Sequence, residues 1–470
     1  MKQLFTVLAL SFVTVCAAQQ ITLKKGVIID SLSVRDSVAE TFSLYLPTTF
    51  ENGRAWPIVF VFDLEGKGKQ AMSMFKQTAD EKGYLLASPN HISDTVAMSK
   101  NILATSRMIN TVVSILPIHK ERIYVGGFSS GGRFSTIVPT FIKGIKGVVT
   151  FGASIANTEV LSSKSPYHFV GVIGNSDHRY PNLLSIESTL NRLKFPNQLL
   201  LFDGKHEWPP KRYVSQALDI FTMASMAKGD IAIDTTLINT NYQEDLVQVN
   251  QFYTDKQPIL ANNLLDEMLE VYRPFKDTDS IKENRKILKK SRLFKNQKRI
   301  QNNNFLKEQF VRDDYSYYLE EDVLTYNYNN LGWWKYQIDE LEKYKNNSDP
   351  LMQQMGNRLE SYIHALIIDN IYFVRDQEPI DYEALNFLYM LKTVTSPKDY
   401  AAYLEVISFS AKLDDYGAAL FYLEELLKQG FTDRDALYSL ENTALLRIMP
   451  EYNEIIEQYL KDARYDVVPE

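Results

Sequence analysis

The chain has 470 residues, a formal net charge of −7 and a single cysteine, Cys16. This length leaves room for two domains, and the hydrophobic and charged fractions, 45% and 23%, are those of an ordinary globular protein. The negative net charge argues against nucleic acid as a general partner. No apolar run beyond the N-terminal segment approaches transmembrane length.

The N-terminal residues have the pattern of a secretory signal, with a basic start, an apolar core from Leu4 to Val15 and small residues at its end. We predict a signal peptide over residues 1–18, cleaved after Ala18, and a mature protein exported to a periplasm or out of the cell. A lipoprotein signal at Cys16 is the alternative, although Val15 is bulky where such a signal has a small residue. A mature chain that begins after Ala18 has no cysteine, and therefore neither a disulfide nor a thiol nucleophile.

Between the predicted signal peptide and about residue 228, short apolar runs alternate with segments that have the periodicity of a helix. The run Glu40–Pro47 alternates with a period of two, as a half-buried strand does. Six further runs are nearly continuous, which suits parallel strands buried on both faces: Pro57–Asp63, Tyr84–Pro89, Arg122–Gly127, Gly147–Gly152, Phe169–Gly174 and Gln198–Gly204. Helix-period segments lie between them, as at Ala97–Leu116 and Asn182–Lys194. The pattern predicts an α/β fold with a doubly wound, mostly parallel sheet over residues 19–228.

Glycine is less frequent after this region. Residues 229–470 are predicted to form an all-α domain. Only five of the 20 glycines lie here. Three segments carry apolar residues at i, i+3, i+4 and i+7: Ile259–Tyr272, Arg358–Val374 and Tyr416–Gly430. The last one follows another helix pattern, Pro397–Leu413, and the two resemble a tetratricopeptide helix pair, with Tyr416, Ala419 and Leu423 at favoured positions. An irregular helical bundle is the open alternative. Either could recruit a protein partner.

One segment of the helical half is strongly basic. Between Ile281 and Arg299 it carries nine Lys or Arg against one Glu, and its apolar residues recur about every seven positions. The spacing predicts an amphipathic helix. Its charge is typical of a solvated face, or of a surface that meets an acidic partner such as a lipid headgroup or an anionic glycan.

The densest cluster of glycines lies in "RIYVGGFSSGG", Arg122–Gly132, where Gly127-Phe128-Ser129-Ser130-Gly131 fits the pattern G-x-S-x-G. The pattern follows a predicted buried strand and opens a predicted helix. A sharp strand-to-helix turn would raise the Ser129 hydroxyl above the sheet, and the glycines remove side chains that would clash. Ser129 is therefore the candidate nucleophile, and the N–H of Ser130 is a candidate oxyanion donor.

A serine nucleophile needs a base to take its proton and an acid to orient that base. On this fold the three residues occur along the chain in the order Ser, acid, His. His206 lies in the loop after the predicted strand Gln198–Gly204, and Asp177 lies in the loop after the preceding strand. They are the candidate base and acid. His178 is a rival base and Asp203 a rival acid.

The second oxyanion donor is expected in the loop after an earlier strand, where "PIVFVFDLEGKGK" offers the backbone of Leu64 or Glu65. The sequence has no paired-cysteine or H-E-x-x-H pattern, no Walker loop and no dinucleotide glycine fingerprint. No metal or organic cofactor is therefore predicted.

With these residues in place, the first half resembles the α/β-hydrolase superfamily. More narrowly, it is similar to the secreted feruloyl-esterase, acetylxylan-esterase and polyhydroxybutyrate-depolymerase-like group. "RIYVGGFSSGG" matches that group's R-[IV]-Y-V-x-G-x-S-x-G-G stretch, "GNSD" follows a strand, and "GKHEWPP" is close to G-G-H-x-W-P. The resemblance covers about residues 35–226. It implies a triad of Ser129, Asp177 and His206, and an ester substrate such as an acylated polysaccharide or a small ester.

Two positions depart from the group's pattern. The group has a His-Gly pair after the strand that here ends at Asp63, whereas this chain reads Asp63-Leu64-Glu65-Gly66. A glycine of the group's histidine loop is also replaced, because the chain reads Gly204-Lys205-His206, with lysine directly before the histidine. The expected function is an exported serine hydrolase that cleaves carboxylic esters through an acyl-enzyme. The alternatives are a serine peptidase of the same fold and a binding protein with a degenerate hydrolase domain, which a glutamate at the oxyanion loop would favour.

Overall fold

The computed structural model describes residues 23–34 and 39–465. The predicted signal peptide, Cys16 and the cleavage position lie outside the described residues. Among the residues that are described, no helix combines the length and the apolar character needed to cross a bilayer.

An eight-stranded sheet forms the first part of the fold. Its strands are β1 (Ile28–Ser33), β2 (Thr41–Tyr45), β3 (Trp56–Phe62), β4 (Leu85–Pro89), β5 (Ile118–Phe128), β6 (Gly147–Phe151), β7 (His168–Gly174) and β8 (Asn197–Phe202). Their order in the sheet is β1-β2-β4-β3-β5-β6-β7-β8. Strand β2 pairs antiparallel with β1 and β4, whereas the pairs β3–β4, β6–β7 and β7–β8 are parallel. The sheet is that of the α/β-hydrolase fold, so the predicted fold class is confirmed.

The predicted strands correspond to β2–β8, and apart from β8 at the edge, the continuous apolar runs lie in strands with a neighbour on each side. Every residue of β3, β4, β6 and β7 is buried. Strand β1 was not predicted. Its register shifts between Ile29 and Leu32, and Ser31 has a positive φ of 59°, so a bulge interrupts the period-two pattern that marks a strand.

The helices fall into two groups along the chain. Five alternate with the strands: α1 (Gly68–Lys82), α2 (Met98–Ile115), α3 (Ser129–Phe141), α4 (Tyr180–Arg192) and α5 (Lys211–Lys228). The rest form the helical region: α6 (Thr235–Thr254), α7 (Pro258–Tyr272), α8 (Asp279–Lys290), α9 (Arg292–Thr325), α10 (Leu331–Lys345), α11 (Pro350–Arg375), α12 (Tyr382–Thr395), α13 (Tyr400–Lys412), α14 (Tyr416–Lys428), α15 (Arg434–Ser439) and α16 (Pro450–Leu460). A large helical C-terminal region is thus confirmed.

The chain divides into two compact units, Met1–Val125 and Gly126–Glu470. The second unit contains α3–α5 and β6–β8 together with the whole helical region. Helix α5 ends at Gly229, which has a left-handed φ of 81°. The domain boundary predicted at residues 228–229 falls at this helix end and stays a prediction.

Helix α7 covers the last strand of the sheet. Strand β8 is an edge strand, and such strands expose backbone groups that have no neighbour. The buried carboxylate of Glu267 accepts a hydrogen bond from the backbone N–H of Leu199. One of the open donors of the edge is therefore satisfied by the helical region.

The basic segment is two helices, not the single amphipathic helix that its spacing predicts. Helix α8 ends at Lys290 and α9 begins at Arg292, with Ser291 between them in an extended conformation. The Ser291 hydroxyl accepts the N–H of Phe294 over 3.2 Å. A serine that caps a new helix in this way interrupts the old one.

The predicted tetratricopeptide pair corresponds to α13 and α14. Ala419 and Leu423 are fully buried in a core that also contains Ile407 and Leu437, and Tyr416 packs at its edge. The pair is thus an antiparallel helix hairpin inside a larger helical core. Its assignment to a tetratricopeptide array stays a prediction.

Candidate active site

The junction between β5 and α3 explains the cluster of glycines. The strand ends at Phe128 and the helix begins at Ser129, whose φ of 48° is left-handed, a conformation that costs energy for any residue with a side chain. A Cβ on Gly126 would lie 2.5 Å from Val149 Cγ1, and one on Gly132 would lie 2.8 Å from the carbonyl oxygen of Gly127. The glycines therefore permit close packing around a strained serine, as a nucleophile turn requires.

The three residues predicted to carry the chemistry lie together in the second unit. Nε2 of His206 is 3.1 Å from Oγ of Ser129, and Nδ1 of His206 is 2.6 Å from Oδ2 of Asp177. The His206 side chain is 23% exposed, whereas that of Asp177 is fully buried. A solvent-reachable imidazole thus bridges a hydroxyl and a buried carboxylate. This is the hydrogen-bond geometry that proton transfer from a serine needs.

The environment of Asp177 keeps its carboxylate ionised. Burial by itself would raise the pKa of Asp177, but the hydrogen bond and the charge of His206 outweigh it. The backbone N–H of Arg179 also donates to Oδ1 over 2.8 Å. The pKa of Asp177 consequently lies below its ordinary value of 3.8. A carboxylate that stays charged can hold the Nδ1–H tautomer of His206 and stabilise its protonated form.

The rival base and acid have other partners. The imidazole Nδ1 of His178 lies 2.9 Å from Oγ of Ser361, and burial lowers the pKa of His178 to about 3. Asp203 accepts hydrogen bonds from the side chains of Asn175, at 3.0 Å, and Gln257, at 2.9 Å. His178 is thus held neutral, and Asp203 joins two loops.

Aromatic side chains pack around the imidazole of His206. The ring of Phe128 lies 4.9 Å from it and stacks on Trp208 at 5.2 Å, and Phe151 lies 5.4 Å from Trp208. A Cβ on Gly152 would lie 3.1 Å from both His206 Nδ1 and the ring of Phe128. This packing restricts the orientations that the His206 ring can adopt.

One residue at the candidate nucleophile was not found from the sequence. Nη1 of Arg179 donates to Oγ of Ser129 over 3.1 Å and to the carbonyl oxygen of Gly152 over 3.0 Å. A guanidinium has no acceptor, so the Ser129 proton cannot point toward it and remains available to His206. Arg179 directly follows the Asp177-His178 pair. The sequence signal was an arginine beside the candidate acid.

The helical region contacts the loop that carries Asp177. Nη1 of Arg358 in α11 donates to the carbonyl oxygen of Asn175 over 2.7 Å, and Nη2 of Arg312 in α9 donates to that of His178 over 2.7 Å. Both arginines also bond to Glu308, and the Arg358–Glu308 pair is almost completely buried, each side chain being 2% exposed. The loop is therefore held from α9 and α11, which no sequence pattern indicated.

The candidate oxyanion donors lie in different units. The N–H of Ser130 belongs to the first turn of α3, where backbone donors have no partner within the helix. In the first unit, the N–H of Glu65 already donates to Oδ1 of Asp63 over 2.9 Å, and the Glu65 carboxylate pairs with Lys67 over 3.0 Å. The side chain of Leu64 is buried. Because the N–H of Glu65 already has an acceptor, the N–H of Leu64 is the better candidate for the second oxyanion donor.

Among the described residues, one group has the spacing to hold a metal ion. It consists of Asp177, His178 and His206, whose potential ligand atoms all lie within 4.8 Å of one another. In both histidines Nδ1 already has a hydrogen-bond partner, which is Ser361 for His178 and Asp177 for His206. This bonding fits an oriented histidine better than a shared ion.

No family model matches the chain, and no curated protein matches it in sequence. Several solved structures are similar to part of the chain. An S-formylglutathione hydrolase from Staphylococcus aureus is 14% identical, with 41% of this chain and 93% of that chain covered and a TM-score of 0.32. Esterase 2 of Thermogutta terrifontis is 12% identical, with 46% and 100% covered and a TM-score of 0.36.

A third similar structure is a putative dipeptidyl aminopeptidase IV from Bacteroides ovatus. It is 16% identical, with 42% of this chain and 35% of that chain covered and a TM-score of 0.33. TM-scores this low carry no information about the activity of the present chain.

Proposed function

We propose that this protein is an exported serine hydrolase that cleaves carboxylic esters. The observation that carries the proposal is the continuous hydrogen-bond path from Ser129 through His206 to Asp177, with distances of 3.1 and 2.6 Å. The strained backbone of Ser129 at the start of α3 supports the same role. Export is proposed from the basic and apolar pattern of residues 1–18.

In the proposed mechanism, Ser129 Oγ attacks the ester carbonyl carbon while its proton passes to Nε2 of His206. The negative oxygen of the tetrahedral intermediate accepts the N–H of Ser130, with the N–H of Leu64 as the proposed second donor. Protonated His206 then gives the proton to the departing alcohol, which leaves an acyl group on Ser129. Water loses a proton to His206 as it attacks that acyl group, and the carboxylic acid is released with Ser129 regenerated.

Asp177 is proposed to orient His206 and to stabilise its charged form. Its low pKa and its full burial support this role, because an ionised carboxylate in a dry environment interacts strongly with an imidazolium. Both oxyanion donors are backbone groups, so the departure at Asp63–Gly66 from the His-Gly pattern leaves the proposed chemistry possible. An acylated polysaccharide or a small ester is the proposed substrate, and a protein partner is proposed for the helical region.

A fluorophosphonate probe tests the proposal directly, since it labels only an activated serine. We expect the wild-type protein to be labelled at Ser129 and to hydrolyse p-nitrophenyl acetate or butyrate. Ser129→Ala should abolish labelling, and His206→Ala should lower kcat by about 10⁴-fold or more. Ser130→Ala is the matched control, because it removes the neighbouring hydroxyl and keeps the backbone N–H.

The alternatives predict other results. A peptidase would cleave p-nitroanilides of short peptides faster than the matched esters. If wild-type protein that is folded by circular dichroism is neither labelled nor active on any ester or peptide, the hydrolase proposal is wrong. A degenerate hydrolase domain that binds a partner would then remain.

A further inference from the structure

The positive charge next to Ser129 is not balanced in the way that it is for two arginines of the helical region. Arg358 and Arg312 both bond to Glu308, which balances their charge. Among the described residues, the guanidinium of Arg179 forms no ion pair with a carboxylate. Asp177 and Asp369 favour its charged form only from longer range. A partly buried cation without a close counterion is costly unless something else supplies the negative charge.

A second positive charge lies on the helix that begins at Ser129. Arg133 lies one helical turn after Ser129 on α3, and its side chain is exposed. Burial lowers the pKa of Arg179, and the positive charge of Arg133 lowers it further. The positive charges of Arg133 and Arg179 therefore repel each other. An anion bound near both would remove that repulsion.

The hydrogen bonds of Arg179 leave part of its guanidinium for a ligand. Both of its side-chain bonds, to Ser129 and to Gly152, come from the single nitrogen Nη1. In the described part of the chain, neither Nη2 nor Nε of Arg179 donates to a protein acceptor. Those nitrogens carry N–H groups in a planar fork, which matches the two oxygens of a carboxylate.

We propose that Arg179 and Arg133 form an anion subsite beside Ser129, and that the natural substrates are esters with a carboxylate within a few bonds of the scissile carbonyl. The inference rests on the proposed serine-esterase function. The carboxylate can belong to the acyl part, as in a half-ester of a dicarboxylic acid, or to the alcohol part. The chemistry of recognition is the same in both cases, and the substrates in the test separate them.

The test compares charged and neutral esters of the same shape. For the acyl side, the pair is mono-p-nitrophenyl glutarate and its methyl-capped form, each followed by release of p-nitrophenol. For the alcohol side, the pair is 4-acetoxybenzoate and methyl 4-acetoxybenzoate. We expect kcat/KM to favour the charged member of at least one pair, and the preference to weaken as salt is added.

Arg179→Gln should reduce the charged-to-neutral ratio of kcat/KM roughly ten- to a hundredfold, as expected for the loss of a hydrogen bond between charged groups. Using the ratio cancels any effect of the variant on Ser129 itself. Arg179→Lys should keep part of the preference. Arg133→Gln, an exposed change that does not threaten folding, should reduce the ratio in the same direction by a smaller factor.

Arg192→Gln is the matched control, because it removes one exposed positive charge at the end of α4. If the wild-type protein cleaves neutral esters as well as charged ones in both pairs, or if Arg179→Gln leaves the preference unchanged, the anion subsite is overturned and the esterase proposal stands. A wild-type protein that neither reacts with fluorophosphonate nor cleaves any of the four esters would overturn both.

Discussion

Arg358 of α11 donates a hydrogen bond to the carbonyl oxygen of Asn175, two residues before Asp177, although the two residues are 183 positions apart in the chain. The same guanidinium is paired with the buried carboxylate of Glu308. The helical region therefore contributes directly to the conformation of the loop that carries the candidate acid. The helical region thus helps to hold the loop of Asp177 in place.

Replacing this arginine tests that support. Arg358→Met leaves Glu308 buried without this partner, and loss of one member of a buried ion pair costs about 3–5 kcal/mol. We expect a decrease of that size in the free energy of unfolding, measured with urea, and a lower kcat in protein that remains folded. Arg375→Met, which breaks the exposed pair with Glu405, should change the free energy of unfolding by less than about 1 kcal/mol. Equal effects of the two variants would contradict the role of the buried pair.

The choice between the two candidate acids can be decided by removing each charge in turn. Asp177→Asn takes away the carboxylate that bonds to Nδ1 of His206, so the imidazole can adopt the wrong tautomer. We expect kcat on p-nitrophenyl butyrate to fall about 10³–10⁴-fold with little change in KM. Asp203→Asn should stay within a few-fold of wild type, since Asp203 bonds to Asn175 and Gln257. A larger loss in Asp203→Asn would exchange the two roles.

Gly174 allows the loops of the acid and the base to approach each other. A Cβ at this position would lie 2.2 Å from the carbonyl oxygen of Gly204 and 2.7 Å from that of Lys205, next to His206. Gly174→Ala must therefore push the two loops apart. We expect activity to fall about a hundredfold, since a displacement of about 1 Å is enough for such a loss. Thermal unfolding followed alongside should show a lower Tm.

The control for this change is Gly53→Ala. A Cβ on Gly53 would have no neighbour within 4 Å, so both activity and Tm should stay at the wild-type level. If Gly174→Ala also behaved like wild type, the distance between the two loops would not matter for the reaction.

Asp245 gives the stability of the protein a pH dependence. Burial in a cavity of about 180 Å³ between α5, α6 and α7 raises the pKa of Asp245 to about 7 from its ordinary 3.8, although the Tyr272 hydroxyl donates to it over 2.7 Å. Between these two pH values the folded protein keeps a proton that the unfolded chain releases. The contribution of Asp245 to the free energy of unfolding therefore decreases as the pH rises from about 4 to 7, by up to about 1.4 kcal/mol per pH unit.

Asp245→Asn should remove this contribution. We expect the variant to have nearly the wild-type free energy of unfolding at pH 4, and a higher one than wild type at pH 8. Urea titrations at both pH values measure the difference. Asp313→Asn, which changes an exposed aspartate on α9, should follow the wild-type dependence on pH. A wild-type protein as sensitive as Asp245→Asn would show that Asp245 titrates normally.

Much of the sheet could be predicted because burial on both faces leaves continuous apolar runs, as in β3 and β7. The bulge in β1 removed the corresponding signal there. Ser129, Asp177 and His206 could be proposed because each follows a predicted strand and their order along the chain is fixed by the fold. That the three side chains meet within hydrogen-bond distance required the coordinates.

The remaining features depend on side chains that reach across the fold. Arg179 turns back from its loop to Ser129, and neither its spacing nor its surroundings in the sequence indicate that direction. The contacts of Arg358 and Arg312 join segments more than a hundred residues apart. The interruption at Ser291 was missed for a different reason, since one capping hydrogen bond outweighed a regular apolar spacing.

The bond between Glu267 and Leu199 has a consequence for biosynthesis. Strand β8 leaves the ribosome before α7 has been made, so for some time the nascent sheet has an uncovered border that can pair with another chain. A premature stop between the two elements would make that exposure permanent. Truncated products ending in this interval should therefore aggregate, whereas in the full-length chain α7 covers the edge strand β8.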